Sequence, residues 1–309
     1  MRATFLRKLT ELAHRDPRIV LLTGDLGYSV IEPFAEAHPR RFYNVGVAEQ
    51  NMVGLATGLA EAGYLPFVYS IATFATLRPF EFIRNGPVLH GLPVRVVGVG
   101  GGFEYGSAGP THFALEDIGV MRTQPGIAII APADYEQAGA ALEATWEWKG
   151  PVYYRLGKND RDRVPGLGGR FDPGRAELVR DGRDVLLIVV GAVAIEAVAA
   201  AERLAREGIQ AAVAVVACLS PTPVAPLSEL LSRWTMAATV EAHHQNGGLG
   251  SLVSEIVAEG GIRCRVLRCG ISRPVDGMTG SEGFLNARYG LDGATLASRV
   301  AAFVRQARP

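Results

Sequence analysis

Apolar residues along the chain switch repeatedly from contiguous runs to positions three and four apart, and each switch predicts a strand giving way to a helix. Thr4 to His14 carries helical spacing, Ile19 to Thr23 is a short apolar run that predicts a strand, and Val30 to Ala37 predicts a short helix. Phe42 to Val47 is aromatic and β-branched and predicts a buried strand. From Ala48 the apolar residues fall at Met52, Leu55, Ala56, Leu59 and Ala60, so a helix follows directly. Gly46 permits the tight turn between them, and Gly63 supplies a C-terminal stop. Strand Pro66 to Tyr69, helix Phe74 to Leu89 and strand Val94 to Val99 come next, then a glycine-rich loop. Strand Ile127 to Ile130, helix Tyr135 to Trp148 and strand Val152 to Arg155 close this half.

Residues 157 to 182 interrupt the alternation with Gly, Pro, Arg and Asp and predict a linker. Beyond it, strands Val185 to Val190, Ala211 to Val216, Met236 to Glu241 and Cys264 to Arg268 alternate with helices Ala192 to Glu207, Pro226 to Trp234, Leu249 to Glu259 and Leu296 to Gln306. Such alternation predicts mostly parallel sheets covered by helices. The fold class is therefore α/β, with a first domain over 1–157, a linker over 158–182 and a smaller domain over 183–309. At 309 residues the chain can hold two cores.

Composition narrows the function classes. Apolar residues make up 48%, which supports extensive burial, and Lys plus Arg equals Asp plus Glu at 31 each. No polyanion field arises, so nucleic acid is not an expected partner. The N-terminal stretch lacks a signal-peptide core and no apolar run approaches a membrane span, so a cytoplasmic protein with no membrane partner is expected. Cys218, Cys264 and Cys269 are odd in number and lack metal-site spacing, consistent with a reducing compartment. His243 and His244 are adjacent on a strand and point to opposite faces, which favours structural roles and no metal site.

Glu49 is the first candidate for chemistry, in the first turn of its helix and at the carboxyl edge of a strand, where open α/β sheets bind ligands. A glutamate there ordinarily complements the helix dipole. Its surroundings sharpen the reading: NVGVAEQNMVGLATGLAEAG, Asn44 to Gly63, resembles the pyrimidine-binding domain of transketolases almost without a break. VEAHHQNGGLGSLVSEIVAEGG resembles the transketolase C-terminal domain, so the resemblance covers essentially the whole chain in that order.

The resemblance implies thiamine diphosphate as cofactor, with Glu49 hydrogen-bonded to a ring nitrogen of the aminopyrimidine and stabilising its imino tautomer. It places Asp25 and Leu26 beside the cofactor, Phe74 and Ile71 against the pyrimidine, and His112 of the Gly109 to His112 loop facing the reacting groups. Arg7 and Arg155 match arginines that hold a substrate phosphate, and Ser29 falls with them on the substrate side. The implied reaction moves a two-carbon ketol unit from a ketose to an aldose, both sugar substrates, with His112 assisting proton transfers.

Departures from the family pattern carry information too. Ile71 stands where a phenylalanine is usual, and Gly100 and Ala108 stand where a histidine and an aspartate contact sugar hydroxyls, so the usual ketose phosphates are not implied. No G-D-G motif for a Mg²⁺-bound diphosphate is present. The expectation is the C-terminal subunit of a split transketolase, with Mg²⁺ held by an N-terminal partner subunit and two copies of each subunit. Alternatives are the β subunit of a 2-oxo acid dehydrogenase decarboxylating component, which shares the domain order, and a non-catalytic regulatory subunit.

Overall fold

The computed structural model describes residues 1 to 307, and in it the alternation builds two helix-covered sheets. In chain order the first unit holds α1 (Arg2–Arg15), β1 (Ile19–Thr23), α2 (Glu32–Ala37), β2 (Phe42–Asn44), α3 (Glu49–Glu61), β3 (Leu65–Ile71), α4 (Ala72–Thr76), α5 (Phe80–Ile83), β4 (Arg95–Val99), α6 (Asp117–Arg122), β5 (Ala128–Ile130), α7 (Tyr135–Thr145) and β6 (Val152–Leu156). The second holds β7 (Glu177–Arg180), β8 (Val185–Val190), α8 (Ala194–Arg206), β9 (Ala211–Val215), β10 (Cys218–Ser220), α9 (Val224–Ser232), β11 (Met236–His244), α10 (Leu249–Glu259), β12 (Arg265–Ile271), α11 (Glu282–Tyr289) and α12 (Gly293–Ala307).

The first sheet runs β10-β5-β6-β4-β3-β1-β2 and is parallel except for β10, which pairs antiparallel with β5. The carboxyl ends of β1, β2, β3 and β4 therefore line one rim. Alternate residues of β1 face opposite layers, as the strand period requires. Ile19 and Leu21 pack with Phe5 and Leu9 of α1 and Leu142 of α7, whereas Val20 and Leu22 pack with Met52, Val53 and Ala56 of α3. The second layer is continuous with Leu186, Ile188 and Ala214 of the other unit, so the two sheets share a core. The second sheet runs β12-β11-β8-β9-β7, parallel except for β7 against β9. No helix among the described residues is long and apolar enough to cross a membrane.

Several elements differ from expectation for physical reasons. The strand expected to be buried over Phe42 to Val47 is a three-residue edge strand, with Tyr43 48% and Val47 70% exposed, because β2 has β1 as its one neighbour. The helix expected over Phe74 to Leu89 is broken into α4, α5 and a π-turn at Arg84–Val88, with Pro79 at the first break and Pro87 inside the turn. Part of the expected linker, Glu177–Arg180, is strand β7, and β10 of the second unit extends the first sheet. Helix α11 was not foreseen, although Ser281 caps its first turn and Gly290 ends it in the left-handed conformation.

Candidate active site

Glu49 opens α3 directly after the rim end of β2, and packing of Met52 and Val53 into the core turns its side chain inward. It is 2% exposed, yet both carboxylate oxygens are satisfied. Oε1 accepts the Ser70 hydroxyl at 2.9 Å and Oε2 accepts Arg78 Nη1 at 2.8 Å. Gly24, at the end of β1, lies so close that a Cβ there would stand 3.3 Å from Glu49 Oε1. An open depression of about 320 Å³ lined by Val47, Ala48, Glu49, Gln50 and Arg78 begins at this carboxylate.

Arg78 connects Glu49 to a cluster of rings. Its guanidinium lies 3.8 Å from the centroid of Phe74, which meets His112 edge-on at 5.0 Å. His112 Nδ1 is 3.0 Å from the Thr111 hydroxyl, and Tyr105 lies 6.5 Å beyond the imidazole. At the opposite side of the rim, Asp25 and Ser29 adopt positive φ of 60° and 71°, a conformation uncommon outside glycine and concentrated at functional sites. Asp25 accepts from Asn44 Nδ2 at 2.8 Å and from the Tyr28 hydroxyl at 3.2 Å, and the Leu26 carbonyl accepts the Thr23 hydroxyl. Ser29 donates its backbone N–H to Glu32.

A buried acid at a parallel rim, beside aromatic rings, is what a heterocycle-binding site requires, and comparison with known proteins specifies which one. Residues 1–162 match the family model "Transketolase, pyrimidine binding domain" and residues 174–296 match "Transketolase, C-terminal domain". The chain belongs to the transketolase family. A "Putative transketolase C-terminal section" of Methanocaldococcus jannaschii is 36% identical over 97% of this chain and 95% of its own length. The 6-deoxy-6-sulfo-D-fructose transketolase subunit SqwH of Clostridium sp. is 35% identical over 94% of this chain and 90% of its own. A solved structure described as "Split gene transketolase, inactive beta4 tetramer" superposes with a TM-score of 0.87 at 34% identity, covering 99% of this chain and 98% of that one.

Transketolase domains imply thiamine diphosphate, and the rim fits its pyrimidine end: a dry carboxylate facing an open depression, with Phe74 nearby and Ile71 ending β3. Among the described residues no group of three or more His, Cys, Asp or Glu stands together to hold a metal ion. The two arginines matched to a transketolase phosphate site are not brought together here. Arg7 is exposed on α1, paired with Glu11 at 2.9 Å, on the sheet face opposite α3.

Arg155, the second of them, lies at the junction of the two units. It is 5% exposed: Nε donates to Asp117 at 2.7 Å, and Nη2 donates to the carbonyls of Ala114 and Ala242 at 2.9 and 3.0 Å. Tyr153 donates to the same carboxylate at 2.6 Å. Burial pushes the Asp117 pKa up, but Arg155 and His243 outweigh it and hold the carboxyl below its ordinary value. Arg155 therefore clamps the two units together. His243 is equally structural, buried, with Nε2 accepting from Gly119 N–H at 3.1 Å, while His244 pairs with Glu116 across the same junction.

Transketolases usually carry a histidine near Gly100, and the structure explains the glycine. Gly100 has φ +83° and a Cβ there would lie 2.2 Å from the Tyr105 ring, so Tyr105 fills that space. Ala108 is exposed in the loop that leads to His112. Sequence reasoning missed Tyr105, Ser70, Asn44 and Arg78 as site residues. Ser70 precedes Ile71 and Arg78 lies one turn past Phe74, the two residues that the resemblance set against the pyrimidine, and that nearness in sequence was the available signal.

Proposed function

We propose that this chain is the C-terminal subunit of a two-subunit transketolase that moves a two-carbon ketol unit from a ketose to an aldose. Thiamine diphosphate, when bound, supplies the nucleophilic carbon that carries the unit. Glu49, buried and aimed at the rim, would hold a proton between its carboxyl group and the pyrimidine ring nitrogen, and its burial keeps water from competing. Phe74 and Ile71 give the pyrimidine an apolar seat, Ile71 without the stacking a phenylalanine would add. Asp25 and Leu26 border the same rim, Ser29 and His112 face the sugar, and His112 moves protons at its oxygens. The observation that carries this reading is the 2% exposed Glu49 facing an open depression at the carboxyl rim of a parallel sheet.

Mg²⁺ and the diphosphate fall to an N-terminal partner subunit, since this sequence has no G-D-G motif. Relatives are described as a C-terminal section and as a transketolase subunit, which supports a separate N-terminal partner chain, and two copies of each chain make up the assembly in this reading. The donor differs from the usual ketose phosphates, because Tyr105 and Ala108 replace the family's polar contacts and Arg155 is withdrawn. Reconstitution with a partner bearing G-D-G and a downstream Asn tests the proposal. Ketol transfer that appears with both chains plus cofactor and Mg²⁺, and with neither chain alone, is expected; decarboxylation of a 2-oxo acid without ketol transfer would overturn it.

A further inference from the structure

The second sheet has its own ligand-binding position, away from Glu49. Strand β8 lies between β9, which follows it in the chain, and β11, so the strand order reverses at β8. Crevices outside the carboxyl ends of strands at such a switch point are where α/β sheets bind ligands. Here Gly191 and Ala192 follow β8, Ala242 lies near the end of β11, and the Gly101 loop of the first unit closes over them. The narrow crevice between them shares Glu104, Ala192, Val193 and Glu282 with a larger cavity of about 180 Å³. That is well above the roughly 10–15 Å³ one water needs.

The cavity's wall carries acidic groups with few partners. Glu282 takes neither a hydrogen bond nor a salt bridge from any described residue. Asn286, one turn further along α11, is 5% exposed, borders the same cavity, and its Oδ1 has no hydrogen-bond partner. Glu104 approaches from the first unit and accepts only the Lys158 N–H at 2.9 Å. The cations of the walls are paired: Arg155, which lines the crevice, with Asp117, and Arg163 and the Met1 amino group, which line the cavity, with Glu136 and Asp160, while Lys158 Nζ is held by the Glu104 carbonyl and the Tyr105 ring. Glu196 and Asp162 add further negative charge to the wall.

We propose that this interdomain cavity binds a small organic cation, a primary amine or diamine whose ammonium donates to Glu104, Glu282 and the Asn286 carboxamide. A protein-held metal ion is disfavoured, since no three acidic or imidazole groups converge among the described residues. An ammonium group carries three donors and no acceptor, and a diamine can engage two separated acidic groups, one with each end. Burial together with the neighbouring Glu282 pushes Glu104 up to about 8, and burial raises Glu282 too, so the pair retains a proton near neutrality that an incoming cation would expel.

Titration calorimetry of the full chain with 1,4-diaminobutane tests this, against 1,4-butanediol and magnesium chloride at matched ionic strength. Saturable binding of the diamine is expected, with a heat that depends on the buffer's ionisation enthalpy because a proton is released. Glu282→Gln should weaken it about tenfold or more; should that variant fail to fold, Glu104→Gln serves in its place. Absence of saturable binding, equal binding of the diol, tighter binding of magnesium, or undiminished affinity in a folded variant would each overturn the site.

Discussion

Glu49 and Arg78 are joined at 2.8 Å across the mouth of the rim, the glutamate 1% and the arginine 42% exposed at their side chains. One charge is dry and the other half-solvated, so the pair orients the carboxylate more than it stabilises the fold; exposed partners contribute about 0–1 kcal/mol. Glu49→Gln keeps an acceptor for Ser70 and removes the charge. Melting should therefore shift little, while ketol transfer by the reconstituted enzyme should fall about 10²–10⁴-fold, the range for a lost acid–base group. Near-normal turnover would reject the catalytic role.

Arg155 supports the opposite expectation, loss of stability. Replacing it with Met leaves Asp117 buried without its cation, and breaking such a pair costs about 3–5 kcal/mol. Asp117→Asn added to Arg155→Met should restore part of this, because the orphaned charge is gone. Denaturant melts of the single and double variants measure the coupling. An Arg155→Met protein as stable as the parent, yet with a raised KM for a phosphorylated sugar, would return Arg155 to the phosphate role.

What Arg155 faces is not legible in the sequence, for a physical reason. The sequence placed it correctly at the end of β6, but a strand end in a two-unit protein faces either solvent or the other unit, and no local pattern distinguishes them. The same blindness affected Phe42 to Val47, where an apolar run was legible and its position at the sheet's edge was not. Sheet order is a long-range property, which also hid β10 joining the first sheet. Local signals were read well where they were strong: the helix from Glu49, the β1 and β8 runs, and the Leu249–Glu259 helix stand as expected. Pro79 and Pro87 were visible and should have divided the helix expected over Phe74 to Leu89.

Tyr105 occupies the volume next to Gly100, and that packing is testable. Gly100→Ala meets both a positive φ of 83° and a ring atom at 2.2 Å, and should cost about 1–3 kcal/mol by thermal or denaturant melting. Adding Tyr105→Gly should recover the steric part and leave the backbone part of about 1 kcal/mol. If the double variant is no more stable than the single, the ring is not what excludes a side chain there.

Stability should fall as pH rises from about 4.5 to 8 on account of Glu104, joined above about 6.5 by His244, both at the junction of the units. Burial and Glu282 raise Glu104 from 4.5 to about 8 in the folded chain. Between those values the folded state holds more protons than the unfolded one, so rising pH favours unfolding. The Glu116 hydrogen bond raises His244, whose stabilisation is complete below its unfolded value near 6.5 and is lost as pH climbs through the raised one. His243 acts in the other direction, its pKa lowered by burial, and its effect appears as pH drops below about 6.5. Melting temperatures across the upper window should therefore decline in the parent, decline less in Glu104→Gln, and flatten further when His244→Ala is added. An unchanged slope in Glu104→Gln would show that this carboxyl is already ionised at neutral pH.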